Sequence, residues 1–141
     1  MQELSKDIVE LWDKINKEAQ EIIERELLIE DLVEDVVIKS ENIFEAISKR
    51  LARKLGQNAI YEENLRSLFT KVFTKYDDMR TSIIEIILQI AKEDKLYNTP
   101  AKVLLYSRKF QISATEKMAN FLLTKNKEDI ALYIRGLVPL E

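Results

Sequence analysis

The stretch VIKSENIFEAISKRLARKL, residues 37–55, decides the fold class of this 141-residue chain. Its apolar residues recur every three or four positions, the spacing that places side chains on one face of an α-helix. Asn42 followed by Glu45 has the form of a helix-capping box, and Gly56 lies where a left-handed helix end is expected. The stretch therefore predicts an amphipathic helix with a defined start and a defined end.

Helical spacing continues on both sides of this stretch. The predicted helices cover about residues 5–25, 27–39, 42–55, 65–76, 83–90, 100–123 and 127–135. Asp77 and Asp78 are predicted to form the turn and cap before the fifth helix, and the segment after Thr99-Pro100 is either one long helix or two in tandem. The chain has only two glycines and two prolines, so it offers few tight turns. We therefore predict a single all-α domain over residues 1–141, a bundle of six to eight helices.

The composition limits the chemistry that this chain can carry. It contains no histidine and no cysteine, which excludes histidine general-base catalysis, cysteine nucleophiles and the usual zinc sites. The formal net charge of −3 gives no electrostatic reason to expect nucleic acid or an anionic membrane. No apolar run approaches the ~18 residues of a membrane span. We expect a cytoplasmic protein without a nucleic-acid or membrane partner.

Clusters of charged residues each allow a specific and a general interpretation. The acidic residues within 24–35 could hold a metal ion, but they lack the Glu-x-x-His pairs of a di-iron bundle, so we predict a solvated helix face and no metal. The basic residues on and near the third helix could form a DNA-recognition surface, but Glu41 and Glu45 share that segment. These basic residues are Lys39, Lys49, Arg50, Arg53 and Lys54.

Ordered motifs run through nearly the whole chain. The first helix carries Leu11-Trp12, Ile15 and Glu18-Ala19, and the third carries Val37-Ile38, Ile43, Ala46-Ile47, Leu51-Ala52 and Lys54-Leu55. Later motifs are Tyr97-Asn98-Thr99-Pro100, Leu105-Tyr106 and Lys117-Met118-Ala119. In their order and distances, over about residues 8–138, they resemble the helical N-terminal domain of the serine O-acetyltransferases of cysteine biosynthesis. The resemblance implies the helical fold of that domain.

The chain departs from this family where the family's chemistry lies. The resemblance places Ala91 where the family has an aspartate of its serine site, and Glu93 or Asp94 could replace it only with a shift of register. The positions where family motifs carry histidine hold Ser40, Gln111 and Asn120. The family's catalytic left-handed β-helix has no counterpart in this sequence. The resemblance therefore implies no catalytic residue and no cofactor here, with acetyl-CoA as a cosubstrate only if a catalytic domain follows.

Three functions are compatible with the resemblance. One is an assembly module, since helical domains of the family join β-helix trimers into a hexamer; this implies a homo-oligomer, dimer to hexamer. Another is the N-terminal part of an active enzyme that converts acetyl-CoA and L-serine to O-acetylserine. The third is a free-standing regulatory partner of a full-length serine acetyltransferase. The substitutions favour a relative that kept the helical scaffold and lost the chemistry, so we expect this chain alone to be inactive.

An assembly module needs more apolar surface than one bundle can bury. The candidate interface residues are Leu28, Val36, Val37, Ile83, Ile86, Ile87 and Ile90. The alternative is that all of them belong to the internal core.

Overall fold

The chain folds as α-helices joined by short links. The computed structural model describes residues 5–55 and 59–137, with side chains described for residues 5–52 and 63–136. Within these ranges there is no β-strand and there are eight α-helices: α1 (Lys6–Arg25), α2 (Glu30–Val33), α3 (Ile43–Leu55), α4 (Ala59–Lys75), α5 (Asp77–Glu93), α6 (Pro100–Tyr106), α7 (Arg108–Thr124) and α8 (Glu128–Leu137). The predicted all-α class and helix number are confirmed.

The start of α3 agrees with the sequence, with Asn42 as its capping residue. Asn42 Oδ1 accepts hydrogen bonds from the backbone N–H groups of Phe44 at 2.9 Å and Glu45 at 3.0 Å. These donors have no partner inside the helix, so the side chain satisfies them. The carboxylate of Glu45 pairs with Lys49 at 3.4 Å. The predicted helix end at Gly56 lies outside the described residues.

Two further helix starts predicted from the sequence are confirmed. Ser5 Oγ accepts a hydrogen bond from the N–H of Ile8 at 3.4 Å and caps α1. Thr99 Oγ1 accepts one from the N–H of Lys102 at 3.3 Å and caps α6, directly before the proline that begins it. Both hydroxyl groups satisfy donors that the first helical turn leaves unpaired.

The segment predicted as a second helix, residues 27–39, is irregular. It consists of a 3₁₀ turn (Leu27–Ile29), the short α2 and a π-helical turn (Glu34–Ile38). Two side chains from beyond the π turn bond to its carbonyl oxygens: Lys49 Nζ donates to Asp35 at 3.0 Å, and Ser40 Oγ donates to Val36 at 2.7 Å. These bonds supply donors to carbonyl groups that a helix end leaves without backbone partners.

Helices α4 and α5 both begin earlier than predicted. α4 starts at Ala59 and not at residue 65, and α5 starts at Asp77 and not at residue 83. Asp77 and Asp78 therefore occupy the first turn of α5, which corrects their prediction as a turn and cap. Carboxylates are stabilised there because the start of a helix carries the positive end of its dipole.

Helices α6 and α7 are two separate helices, so the tandem alternative is the correct one. Ser107 is the only residue between them, and it caps the end of α6 and the start of α7. Its N–H donates to the carbonyl oxygen of Val103 at 3.1 Å and ends α6, while its Oγ accepts from the N–H of Phe110 at 3.1 Å and begins α7. A single extended residue thus sets the angle between the two helices.

Aromatic side chains connect the helices around one apolar core. The rings of Phe44 on α3 and Phe73 on α4 lie 5.3 Å apart between centroids, and both residues are buried. Tyr76, between α4 and α5, meets Phe121 of α7 edge to face at 5.3 Å. Such contacts add to the stabilisation from burial itself. Within the described ranges, no helix combines the length and the apolar character that a membrane span requires.

Candidate functional site

A groove between α5 and α7 is the candidate functional site. It encloses about 390 Å³. The residues that line it are Ser82, Glu85, Ile86, Gln89, Ile90, Glu93, Lys109, Ser113 and Lys117. We call it the α5–α7 groove. Its volume lies within the range of pockets that bind small ligands or the side chains of a protein partner.

The two walls of the α5–α7 groove carry opposite charges. The acidic wall consists of Glu85, Gln89 and Glu93 on α5, and the basic wall consists of Lys109, Ser113 and Lys117 on α7. Residues four positions apart share one helix face, so each wall presents a single sign of charge. Glu93, in the last turn of α5, and Lys109, in the first turn of α7, both line this groove.

The floor between the walls is apolar. Ile90 is buried in the core, and Ile86 is half-buried and packs against it. An apolar floor with a charged rim is the usual anatomy of a protein–protein contact.

The structure places the three positions that the resemblance links to serine binding in different surroundings. Ala91 is half-buried against the core, and Glu93 belongs to the acidic wall. Asp94 Oδ1 accepts hydrogen bonds from the N–H groups of Tyr97 at 2.9 Å and Leu96 at 2.8 Å. These bonds hold the pKa of Asp94 below its ordinary value of 3.8. The carboxylate of Asp94 thus shapes the turn after α5.

The three residues at the family's histidine positions are all hydrogen-bonded within the chain. Ser40 Oγ donates to a backbone carbonyl of the π turn at 2.7 Å. Gln111 is buried, and with its amide in the orientation that satisfies both groups, its oxygen accepts from Arg50 Nη1 at 2.7 Å. Asn120 Oδ1 accepts from the guanidinium of Arg135. Each of these residues therefore connects parts of the scaffold.

Five of the seven predicted interface residues belong to the core. They are Val36, Val37, Ile83, Ile87 and Ile90. Val36, Val37, Ile83 and Ile87 have no exposed surface, so the prediction is corrected at these four positions, while Ile90 is 5% exposed and lines the floor of the α5–α7 groove. Leu28 is fully exposed, and Ile86 is half-buried on the floor of the α5–α7 groove. These two are the predicted interface residues that lie outside the buried core.

The basic residues of α3 point largely into the protein. Lys49 is only 8% exposed, and its ammonium group donates to the carbonyl oxygen of Asp35 at 3.0 Å. Arg50 Nε donates to the carbonyl oxygen of Leu105 at 2.7 Å, at the end of α6. The side chains of residues 53–54 lie outside those described. At Lys49 and Arg50, the positive charge serves backbone acceptors of the same chain.

An acidic cluster lies on α2 and the π turn. The carboxylate oxygens of Glu30, Asp31 and Glu34 lie within 4.8 Å of one another, with Asp31 exposed and the other two half-buried. We assign no metal to this cluster, because neighbouring carboxylates on a water-exposed helix face are common without one.

Sequence reasoning missed the basic wall of the α5–α7 groove. The sequence does contain a helical repeat at these positions. Lys109, Ser113 and Lys117 are spaced by four residues, and Glu85 and Glu93 are spaced by eight. What the sequence does not contain is the pairing of α5 with α7, which brings the two repeats to opposite sides of one groove.

Comparisons by sequence and by structure both match this chain to serine acetyltransferases. The family model described as "Serine acetyltransferase, N-terminal" matches residues 11–114. A serine acetyltransferase from Buchnera aphidicola is 22% identical over 133 residues, which cover 92% of this chain and 50% of that protein.

Two solved structures show the same helical fold. Soybean serine acetyltransferase complexed with serine has a TM-score of 0.84 at 17% identity, covering 96% of this chain and 56% of that one. Serine acetyltransferase from Brucella abortus, in complex with coenzyme A, has a TM-score of 0.80 at 20% identity, covering 91% of this chain and 51% of that one. The chain therefore spans about half the length of the proteins that it matches.

Proposed function

Because the chain belongs to the family of serine acetyltransferase N-terminal domains, we propose that it is a non-catalytic assembly module. It associates with a second copy of itself through the α5–α7 groove. The observation that carries this proposal is the pair of oppositely charged walls on the two sides of an apolar floor. Such a surface is complementary to itself.

Two-fold symmetry brings the opposite walls together. In a symmetric dimer the acidic wall of one copy faces the basic wall of its partner, and the symmetry axis repeats the pairing. Glu85 and Glu93 are eight residues apart, as are Lys109 and Lys117. At 1.5 Å per residue, both pairs span about 12 Å along a helix, so their charges can align. The pairing fixes the orientation of the two copies.

The apolar floor supplies the remaining attraction. Ile86 loses water when a second copy covers the groove. The groove is small beside the ~800 Å² per partner of a standard stable interface, so neighbouring surface of α5 and α7 has to contribute. We therefore expect a dissociation constant on the order of micromolar.

Charge exchange between the walls tests this arrangement. Lys109→Glu with Lys117→Glu gives a chain with two acidic walls, and Glu85→Lys with Glu93→Lys gives a chain with two basic walls. Each double variant alone is expected to sediment as a monomer, because like charges face each other. An equimolar mixture of the two is expected to form a heterodimer, which analytical ultracentrifugation detects.

A matched control keeps the charge change and moves it away from the groove. Lys71→Glu with Lys75→Glu on α4 is expected to associate as the wild-type chain does. Circular dichroism checks that every variant stays helical. The proposal is wrong if the wild-type chain remains a monomer at millimolar concentration, or if it dimerises while the mixture of folded variants does not.

Leu28 is the candidate for a second contact that extends a dimer to larger oligomers. It is fully exposed, and its neighbour Leu27 is 69% exposed. Leu28→Ser is expected to remove species larger than a dimer and to leave the dimer intact. Leu96→Ser changes a 71% exposed leucine of a loop and serves as the control. Equal distributions of oligomers in the two variants would exclude Leu28 from any contact.

We also propose that this chain alone does not transfer acetyl groups. The sequence has no histidine to act as a general base, and Asp94 uses its carboxylate in the turn after α5. Release of free coenzyme A from acetyl-CoA in the presence of L-serine is expected to proceed at the rate of the buffer. A rate above buffer that disappears on heat denaturation would contradict this statement.

A second candidate function rests on the length of the matched proteins, of which the chain spans about half. The domain would then act beside a catalytic half that uses acetyl-CoA, supplied either by its own reading frame or by a full-length serine acetyltransferase. Hexapeptide repeats encoded in frame after residue 141 would support the first source. Co-sedimentation with a purified full-length serine acetyltransferase would support the second, and the absence of both results would exclude this function.

A further inference from the structure

A second groove lies between α1 and the start of α6, and it encloses about 440 Å³. We call it the α1–α6 groove. Four cationic side chains line it: Lys14, Lys17, Arg25 and Lys102. Two carboxylates, of Glu18 and Glu21, and the hydroxyl of Thr99 complete the lining. The four positive and two negative charges sum to +2, in a chain whose formal net charge is −3.

One of the two carboxylates is already used inside the protein. Glu18 accepts a hydrogen bond from the hydroxyl of Thr99, the residue that caps α6. This bond ties α1 to α6 and fixes one side of the groove. Tyr106 at the end of α6 is half-buried, and burial, followed by the charges of Glu26 and Glu18, raises the pKa of its phenol. The phenol of Tyr106 therefore stays neutral beside the groove.

The cations of the groove outnumber the carboxylates that line it. Among the described side chains, no carboxylate lies within ion-pair distance of Lys14, Lys17, Arg25 or Lys102. Lys102 Nζ contacts only the neutral side-chain oxygen of Asn98, at 3.4 Å. Like charges around one concave surface raise each other's electrostatic energy, and a bound anion removes that cost.

We propose that the α1–α6 groove binds a small soluble ligand that carries at least one phosphate group. Arg25 offers a planar guanidinium that can bind two phosphate oxygens at once, and the lysines add point charges. A single phosphate group carries about −1.5 to −2 charges, which balances the net charge of +2 of the lining, so one phosphate group is the minimum expected. The volume suits a ligand of the size of a nucleotide. This site is separate from the groove proposed for assembly.

Calorimetric titration of the full chain with sodium pyrophosphate and with ADP tests the proposal, and adenosine serves as the probe without phosphate. At low ionic strength, pyrophosphate and ADP are expected to bind with a Kd of about 1 mM or tighter, and adenosine is expected to give no heat. Lys14→Gln, Lys17→Gln and Lys102→Gln combined are expected to weaken pyrophosphate binding by about tenfold or more.

A matched triple variant separates the groove from the general charge of the protein. Lys71→Gln, Lys92→Gln and Lys127→Gln remove the same charge from exposed positions outside the groove and are expected to change the Kd by less than about twofold. Equal weakening in the two triple variants, or no heat with pyrophosphate and the wild-type chain, would overturn the proposal. Circular dichroism confirms that both variants are folded.

Discussion

The buried part of α3 and the basic wall of the α5–α7 groove use the same kind of side chain for opposite purposes. Lys49 is almost fully buried and, like Arg50, bonds to a backbone carbonyl oxygen of the chain itself. Lys109 and Lys117 are exposed on α7 and face solvent. Lys49 and Arg50 turn inward because carbonyl oxygens without backbone partners lie within their reach. A basic helix face therefore indicates a binding surface only where such acceptors are absent.

Removal of Arg50 is expected to have the largest effect on stability. Arg50→Ala takes the donors away from the carbonyl oxygen of Leu105 and the buried amide of Gln111. We expect the free energy of unfolding to fall by about 2–4 kcal/mol, because these acceptors stay buried without a partner. Urea unfolding at one fixed protein concentration measures it. Arg50→Lys keeps the charge but not the forked geometry and is expected to recover only part of the loss.

Replacing Lys49 tests the second buried charge. Lys49→Met keeps the apolar stem and removes the ammonium group that bonds to Asp35 and Glu45. We expect unfolding to become easier by about 1–2 kcal/mol, since one charged hydrogen bond is lost. Lys39→Met, at an exposed position of the same basic cluster, is the control and should change stability by less than about 0.5 kcal/mol. Equal effects at the two positions would contradict the distinction.

The basic wall should show the reverse pattern. Lys109→Gln and Lys117→Gln are each expected to change the free energy of unfolding by less than about 0.5 kcal/mol, because exposed charges contribute little to stability. Together they are expected to weaken self-association, which analytical ultracentrifugation measures at several concentrations. A large loss of stability without a loss of association would mean that the wall is structural.

Asp94 is an anion that bonds to backbone groups of its own chain, and its removal is expected to have the smallest effect. Its pKa is lower in the folded chain than the ordinary value of 3.8, so its stabilising contribution is present above that value and is lost as the pH falls through the folded pKa. The thermal midpoint of Asp94→Ala should therefore lie below that of the wild type at neutral pH and approach it in acid. Asp94→Asn keeps an uncharged acceptor, so its midpoint should not show this dependence on the charge at position 94.

Much of the fold could be predicted because its signals are local. Ser5, Asn42 and Thr99 cap helices where the sequence places caps, since a cap depends only on residues within one turn. The early start of α5 was missed because Asp77 and Asp78 are equally suited to a turn and to a first helical turn. The local sequence pattern does not show whether an aspartate lies in a turn before a helix or in the first turn of the helix.

The candidate sites were predicted less well because they depend on how helices pair. Val36 and Ile87 have the same spacing as residues of an exposed apolar stripe, and only the helices that cover them make them core. Ile86 lies one position away and lines a groove. The α5–α7 and α1–α6 grooves each combine residues from helices that are distant in sequence. The pattern of a single segment therefore cannot predict either groove.

The π turn, Glu34–Ile38, also bears on how the length of this chain can vary. A π turn holds about one residue more than an α turn, so it can lose a residue and become a regular helix while the flanking helices keep their places. The same deletion within α3 would rotate Arg50 by about 100° and carry its guanidinium away from the carbonyl oxygen of Leu105. Natural insertions and deletions of one residue should therefore collect at this turn and be rare in α3.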